Sequence, residues 1–406
     1  MSRIIVENGI RKVLPHYVNF KTHPKKRWVG KTLVELFKHD FGEPESLILD
    51  DIASGSLYVE NNVGTSKPSS TLKGIEVLKD RRIELKDLIH YCKHVHEPSI
   101  AWNGPVKVIF EDDDVIVVDK PAGIPTHPTG AYNYNTFSAI VKDTYGLESI
   151  WTCHRLDKVT SGILILCKNK EAAVGYSNLL VSKKDSVKKT YLARVDGKFP
   201  EGKYRYTCPT ITINMNGYIE PDNLEALKAD TSTLFERVRY NENLNQSIVK
   251  CQPISGKFHQ IRIHLTRLGY PISNDYFYKP KDESSTYALR CKIEHELYAM
   301  LFKKFPQFSQ MRGDLDTGED EIKTVDMKAV LNDDANESQV FETLARLKAE
   351  HSAHINMRKK TRCKECNRLV FEESYVSVDS RIYLHSLSFE FGDSKFETDL
   401  PSWSLV

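Results

Sequence analysis

The sequence lacks any hydrophobic run long enough for a membrane span. A spanning helix needs about 20 apolar residues, and the longest candidate, GILILC at residues 162–167, has only strand length. The first 20 residues also lack the apolar stretch and small-residue cleavage site of a secretory signal. They are poor in acids but are not enriched in Ser and Arg. We therefore expect a cytoplasmic protein and leave a mitochondrial address open.

The sequence also has too few cysteines, eight in 406 residues, for a disulfide framework. Six are scattered, mostly among apolar neighbours, and indicate reduced core thiols. Cys363 and Cys366 differ because they have metal-ligand spacing, and His351 and His354 lie just upstream as HSAH. We predict ordinary reduced cysteines and no metal, with a zinc site formed by these four residues as the alternative.

The net charge is small, at +2, but the charges are unevenly distributed along the chain. Residues 11–38 contain eight Lys or Arg and one acid, and residues 168–198 contain eight against three. Residues 314–337 reverse the balance, with nine acids and two lysines. Basic segments within a neutral average are typical of a protein that binds a phosphate backbone. Solvated helical faces would give the same composition, so charge alone decides nothing.

The pattern along the chain predicts four stretches. Residues 1–98 form a first unit, with a helix over 31–41, a second helix ending near Gly55 and a strand at LYVE. Residues 99–278 carry the densest strand signals and two predicted helices, at 170–183 and 258–268. Residues 279–375 contain helical and acidic segments and CKEC, whereas 376–406 return to strand-like sequence. We predict that 279–375 are an insertion and that 376–406 complete the sheet of the second stretch.

Chemistry-bearing residues gather in four segments of the second stretch. They are VIVVDKPAGIPTHPTG (115–130), HRLDKVTSGILILCKN (154–169), KKTYLARVDG (188–197) and PISGKFHQIRIHLTRLGYPIS (253–273). A polar loop mounted on a buried strand is where a reactive carboxylate is usually displayed. Taken singly, Asp157 is more often a cap or turn residue, and Arg262 more often forms a surface salt bridge. Likewise, Tyr191 alone would be a half-buried strand residue.

Taken together, the order and content of these segments resemble the RluA family of RNA pseudouridine synthases. HRLDKVTSG matches the family's HRLD-x-x-TSG signature and HQIRIH its HQIR-x-H helix, and the resemblance resumes at LHS (384–386). It implies an α+β pseudouridine-synthase fold, with a mixed, largely antiparallel sheet, flanking helices and a central cleft. Residues 28–98 resemble the small S4-like α/β unit that precedes this fold in eukaryotic members.

The resemblance also implies site residues. Asp157 is then the catalytic carboxylate, Arg262 its ion-pair partner and Tyr191 the aromatic ring that holds the uracil. The reaction gains and loses no atoms, so no cofactor is expected. Five further residues are assigned to substrate binding and four to RNA binding. The substrate-binding residues are Arg155, which would fill the space left by the flipped base, His154, Lys120, Lys257 and His259, with only supporting roles expected for Lys120 and His154. The RNA-binding residues are Lys25, Lys26, Arg27 and Lys31.

Finally, the resemblance implies a monomeric enzyme with tRNA as its partner and no membrane. The sequence is most similar to the fungal members that act in the anticodon stem-loop, with uridine 31 as the expected target. Uridine 32 and ribosomal RNA are the alternative targets. Lys257 stands where the family commonly has Arg, which keeps the charge but loses a planar fork. An alternative of another class is an RNA-binding or chaperone protein that has lost catalysis.

Overall fold

The computed structural model describes ten segments and a few isolated positions. These are residues 3–102, 104–182, 187–213, 227–229, 231–283, 286–313, 324–331, 361–370, 381–392 and 394–405, with 342, 345–347, 349, 350 and 353. The helices are α1 Leu33–Phe41, α2 Glu45–Ala53, α3 Ile75–Leu78, α4 Phe137–Thr144, α5 Lys170–Ser182, α6 Gln260–Arg267, α7 Thr286–Lys304 and α8 Met327–Leu331. Among the described residues, no helix is long and apolar enough to cross a membrane.

The described residues form strands β1 to β22, numbered in chain order. The first nine are β1 Ile4–Glu7, β2 Ile10–Val13, β3 His16–Thr22, β4 Leu57–Asn61, β5 Ser70–Leu72, β6 Leu88–Val95, β7 Ile100–Ala101, β8 Lys107–Glu111 and β9 Val115–Lys120. The next seven are β10 Trp151–Thr152, β11 Ser161–Cys167, β12 Val187–Asp196, β13 Lys203–Thr207, β14 Leu227–Lys228, β15 Ser232–Asn241 and β16 Gln246–Pro253. The last six are β17 Arg312–Gly313, β18 Thr324–Val325, β19 Thr361–Arg362, β20 Leu369–Val370, β21 Leu384–Phe391 and β22 Ser394–Glu397.

The N-terminal unit is a four-stranded antiparallel sheet, ordered β3-β6-β4-β5, whose core includes buried residues of α1 and α2. α1 begins where Thr32 and Glu35 form a capping box, and it ends at Gly42, whose φ of 67° suits a left-handed cap. The predicted helix over 31–41 and the LYVE strand therefore correspond to α1 and β4. The S4-like assignment of this unit stays a prediction.

A small sheet, ordered β1-β2-β7, lies at the predicted boundary near residue 98. The buried carboxylate of Glu97 accepts hydrogen bonds from the backbone N–H groups of residues 133, 134 and 135, at 2.8, 2.9 and 2.8 Å. Arg11 is also buried and donates to Asn135 Oδ1 at 2.6 Å. The first residue of the basic segment at 11–38 thus serves the packing of this boundary and is not available to RNA.

The main sheet has eleven strands and follows the order β17-β13-β15-β16-β12-β21-β11-β9-β8, with β10 and β22 added at its side. Every pairing in it is antiparallel except that of β11 with β21. This is the mixed, largely antiparallel sheet expected for the fold. β21, from the end of the chain, lies between β11 and β12, so the chain returns to complete the sheet.

The β11–β21 pairing is unusually close at Gly162. A Cβ atom on this residue would lie 2.2 Å from the backbone oxygen of Ser386, and its φ is 111°. Only glycine fits such an approach. The glycine of the TSG sequence therefore lets the LHS segment, at 384–386, lie directly beside the start of β11.

The predicted insertion is not a separate body within the described residues. α7 contributes Ile293, Leu297 and Leu301 to the same core as β12, β15 and β16. β17 pairs with β13 of the main sheet. The β19–β20 hairpin instead contacts the N-terminal unit. The acidic residues at 314–323 and 332–337 lie outside the described residues, while α5 and α6 coincide with the helices predicted at 170–183 and 258–268.

Candidate active site

The loop before β11, residues 153–160, carries Asp157 and is held in place by the turn that follows β9. Its backbone receives the Gly123 N–H at Lys158 O (2.7 Å), and the buried hydroxyl of Thr126 bonds to Leu156 O (2.8 Å). The turn at Lys-Pro-Ala-Gly therefore packs against the Asp157 loop. Because both segments continue buried strands, the position of the carboxylate is set by the sheet.

Arg262 on α6 pairs with Asp157 and is itself held by a second carboxylate. Its Nη1 donates to Asp157 Oδ2 at 3.1 Å. Its Nε and Nη2 donate to the two oxygens of Asp275, at 2.6 and 2.9 Å. The bidentate bond to Asp275 fixes the plane of the guanidinium. The sequence analysis did not single out Asp275, which lies two residues beyond the fourth segment at 253–273.

The cluster keeps Asp157 ionised. Burial alone would raise the pKa of its carboxyl, but the positive charge of Arg262 and its hydrogen bond hold the pKa below its ordinary value. The side chain remains 18% exposed. Burial would also lower the pKa of Arg262, but Asp275 and Asp157 hold it above its ordinary value. The site thus presents an accessible carboxylate beside a permanently charged partner.

His259, the residue before α6, also belongs to the group of side chains around Asp157. Its Nε2 accepts from Arg262 Nη1 at 2.8 Å, so its Nδ1–H faces the hydroxyl of Tyr278, also at 2.8 Å. Burial and the nearby guanidinium lower the pKa of His259 to about 3, so the ring is neutral at pH 7. Its φ of 52° is rare for a residue other than glycine. Backbone strain of this kind is common at functional sites.

Tyr191 lies on β12, where the register against β21 shifts between Thr190 and Tyr191. It packs against two of the hydrophobic clusters formed by residues of the main sheet. Burial raises the pKa of its hydroxyl to about 12, and the charge of Asp157 contributes to the rise. The hydroxyl of Tyr191 is therefore close enough to feel the charge of Asp157, while the role of its ring in holding the uracil stays a prediction.

The exposed rim of the site is basic and aromatic. Arg155 is exposed and lies 6.0 Å from the ring centroid of Phe258. Phe258 is 50% exposed and stacks on His259, with centroids 3.8 Å apart. Lys257 is exposed beside it. A guanidinium and an open aromatic face are suited to stacking on unpaired bases. Phe258 was missed by sequence reasoning, although it lies within a matched segment.

Two residues assigned to substrate binding have other partners. The side chain of Lys120 is fully buried, and its Nζ donates to the carbonyls of Pro121 (2.9 Å) and Ile124 (2.8 Å). His154 Nε2 accepts the N–H of Ile165 at 3.0 Å. Burial lowers the pKa of Lys120 to about 7 and that of His154 to about 3. Both side chains hold the loops around Asp157, so any part they have in substrate binding would act through these loops and stays a prediction.

The four lysines and arginines assigned to RNA binding differ in their surroundings. Lys25, Lys26 and Arg27 are exposed, and Lys25 lies 5.3 Å from the centroid of the Trp28 ring. Arg27 and Lys31 both pair with Asp40, at 3.2 and 3.5 Å. Lys25 and Lys26 therefore keep more of their charge for an external phosphate than Arg27 and Lys31 do.

Only two of the four residues of the alternative zinc site lie within the described residues. His351 and His354 lie outside the described residues. Cys363 and Cys366 instead lie beside His94 and His96, and the ligand atoms of these four residues are all within 4.8 Å of one another. All eight cysteines are free thiols. No local pattern in the sequence connects the histidines near the end of the first unit with CKEC, which lies about 270 residues further on.

The centre of the candidate site is an ionised aspartate in a loop with an arginine bonded to it, and Tyr191 is near enough for its hydroxyl to feel the charge of Asp157. The family model described as RNA pseudouridylate synthase matches residues 114–267, which contain all three. The chain is 30% identical to the tRNA pseudouridine(31) synthase of Saccharomyces cerevisiae, over 99% of this chain and 97% of the relative.

A second relative, the mitochondrial tRNA pseudouridine(32) synthase of Saccharomyces cerevisiae, is 35% identical over 68% of this chain and 56% of the relative. Among solved structures, human RNA Pseudouridylate Synthase Domain Containing 4 is 17% identical over 74% of this chain and 90% of that chain, with a TM-score of 0.41. That structural likeness is weak, so the assignment rests on sequence. The chain belongs to the RNA pseudouridine synthase family and is an isomerase.

Proposed function

We propose that the protein converts uridine 31 of the tRNA anticodon stem-loop to pseudouridine, with Asp157 as the catalytic residue. The observation that carries the catalytic part is the ion pair between Asp157 and Arg262, with Arg262 fixed from behind by Asp275. The target is supported by the match to a tRNA pseudouridine(31) synthase over nearly the full length of both chains.

The reaction breaks the bond between ribose C1′ and uracil N1 and forms a bond between C1′ and C5. The proton on C5 is lost and N1 gains one, so the atoms and electrons balance without any redox partner. The carboxylate of Asp157 acts beside C1′ as nucleophile or base, and it must be ionised to do either. The lowered pKa of Asp157 supplies the ionised form at neutral pH.

The detached uracil must stay in the site while it rotates. The ring of Tyr191 offers a face that holds the base without fixing one orientation. The target nucleotide has to leave its stack to be reached. Arg155 and Phe258 at the rim would then stack in its place and on neighbouring bases.

The test is single-turnover pseudouridine formation with tRNA transcripts. One transcript carries uridine at 31 and cytidine at 32, and a second carries the reverse. We expect product from the first transcript with the wild-type protein and none with Asp157→Asn. Asp157→Asn keeps the shape of the side chain, and circular dichroism checks that it is folded.

Other outcomes select the alternatives. Product only from the second transcript assigns position 32, and product only from ribosomal RNA fragments replaces the tRNA target. Equal rates for Asp157→Asn and the wild type would refute the catalytic assignment. Tight tRNA binding without product from any RNA would favour a catalytically silent RNA-binding protein.

A further inference from the structure

A compact Cys/His cluster is formed by His94, His96, Cys363 and Cys366. None of these four residues belongs to the group of side chains described around Asp157. His94 belongs to β6 and His96 follows it by two residues, so both side chains point to the same face of an extended segment. The two cysteines lie in the turn between β19 and β20. About 270 residues of chain separate the two pairs, yet their four ligand atoms lie within 4.8 Å of one another.

We propose that this Cys/His cluster binds one structural Zn²⁺ ion that fastens the β19–β20 hairpin to the N-terminal sheet. Two thiolates and two imidazoles are a donor set typical of tetrahedral zinc sites. The proposal does not depend on the target or the chemistry of the enzyme.

The distances within the cluster suit a single tetrahedral ion. Zn–S bonds of about 2.3 Å and Zn–N bonds of about 2.1 Å place sulfur and nitrogen about 3.6 Å apart around one centre. Cys366 Sγ lies 3.4 Å from His96 Nε2, and Cys363 Sγ lies 3.7 Å from His94 Nδ1. Two independent thiol–imidazole hydrogen bonds would not require all four atoms to converge on one point.

The partners around the cluster orient its ligands. His94 directs Nδ1 toward Cys363, while its Nε2 lies 3.4 Å from the carboxylate of Glu365. A zinc-bound histidine commonly donates its other ring N–H to a carboxylate in this way. Glu365 in turn accepts from the hydroxyl of Tyr17 at 2.8 Å, and its own N–H donates to Cys363 Sγ at 3.4 Å.

The turn that carries Cys363 and Cys366 is held by hydrogen bonds that do not use the four ligand atoms. The N–H of Cys363 donates to Arg368 O and the N–H of Asn367 donates to Cys363 O, both at 2.9 Å, with Asn367 at a φ of 54°. Arg368 then donates to Asp51 at 2.5 Å and to the Tyr91 hydroxyl at 2.6 Å, both in the N-terminal unit. The turn is therefore held against β6 in the position that the ligands require.

The first test is metal analysis of the full-length wild-type protein, purified without added metal or chelator. We expect about one zinc per chain, and negligible zinc in Cys363→Ser/Cys366→Ser. Cys92→Ser is the matched control, because Cys92 lies two residues before His94 on β6 and is not one of the four ligands. It should retain its zinc.

The second test uses only the wild-type protein, so it holds even if the double variant does not fold. After zinc is removed and replaced by Co²⁺, the visible spectrum should show thiolate-to-cobalt charge transfer and the ligand-field bands of a tetrahedral site. Zinc removal should also lower the midpoint of thermal unfolding by about 5 °C, because a ligand of the native state stabilises it.

Three results would overturn the proposal. The first is wild-type protein without zinc that also gives no tetrahedral cobalt spectrum. The second is a double variant that keeps its full zinc content. The third is intact-mass and peptide analysis showing a disulfide between Cys363 and Cys366 in the protein as purified.

Discussion

Arg262 serves two carboxylates with one guanidinium. Asp275 accepts hydrogen bonds from Nε and Nη2 of Arg262, whereas Asp157 accepts one only from Nη1. This division gives Asp275 the task of fixing direction and leaves Asp157 partly open to substrate. Arg262 lowers the pKa of the Asp157 carboxyl, so the ionisation of the proposed catalytic group can be changed without replacing that group.

Replacing Arg262 should shift the dependence of catalysis on pH. In Arg262→Gln the cation that lowers the pKa of Asp157 is lost, so the pKa rises and less carboxylate is ionised at a given low pH. We expect the acid limb of the single-turnover pH–rate profile to move upward by about 1 to 3 pH units, measured at saturating enzyme.

Arg262→Lys is the matched control, since it keeps the charge and loses the fork. Its acid limb should stay nearer to that of the wild type, while its rate at neutral pH falls because the side chain is less well directed. An unchanged acid limb in Arg262→Gln would mean that Arg262 does not control the ionisation of Asp157.

At Tyr191, the ring and not the hydroxyl should matter. Tyr191→Phe keeps the aromatic face, so its single-turnover rate should stay within about tenfold of the wild type. Tyr191→Leu should lose about 10- to 100-fold, the equivalent of the stacking energy of one base on an aromatic ring. Equal losses in the two variants would instead assign the function to the hydroxyl.

Elements with strong local signals were predictable from the sequence. Thr32, Glu35 and Gly42 mark both ends of α1, and the apolar spacing of 258–268 marks α6. β3 gave no such signal because it is mostly exposed and lies at the edge of its sheet. The strand character of 384–391 was also legible, but its place between β11 and β12 was not, because strand pairing between distant segments leaves no local pattern.

The site was predictable to the extent that its residues share short motifs. Asp157, Arg262 and Tyr191 were singled out in this way, and so were Lys120 and His154, whose buried hydrogen bonds to the surrounding loops the motifs could not show. Burial decided their roles, and burial depends on the whole fold. The partners of Cys363 and Cys366 were missed for the same reason, since His94 and His96 reach them only through the packing of distant segments.

The contact between β11 and β21 should tolerate no side chain at residue 162. In Gly162→Ala the new Cβ meets the backbone of Ser386 at 2.2 Å, and the φ of 111° adds strain. We expect a destabilisation of about 3 kcal/mol, seen as a lower midpoint of thermal unfolding.

Gly175→Ala is the control for that substitution. Gly175 lies within α5, and a Cβ there would meet nothing within 4 Å. Alanine should therefore stabilise the protein by about 0.5 to 1 kcal/mol. If both variants had the same midpoint as the wild type, the close approach at Gly162 would be refuted.

Across the whole molecule, RNA affinity and catalysis should separate. Lys25→Gln/Lys26→Gln removes two exposed charges from the N-terminal unit, so tRNA should bind more weakly and with a smaller dependence on salt. The single-turnover rate at saturating enzyme should not change. The measurements are binding isotherms at several salt concentrations and rates at saturation.

Arg27→Gln/Lys31→Gln is the comparison, because these two side chains already pair with Asp40. Its loss of affinity should be smaller than that of the first pair. A slower single-turnover rate with unchanged binding in Lys25→Gln/Lys26→Gln would contradict the division between a binding unit and a catalytic unit.

The central position of β21 in the main sheet has a consequence for folding during synthesis on the ribosome. β11 and β12 cannot gain their shared neighbour until residues 384–391 have been made, roughly 220 residues after β11 is complete. At about 5 to 20 residues per second, that delay lasts on the order of ten seconds or more. Throughout it, the nascent chain carries unpaired strand edges at the future centre of its sheet. We therefore expect strong chaperone dependence during synthesis, and no enzyme from a message truncated before β21.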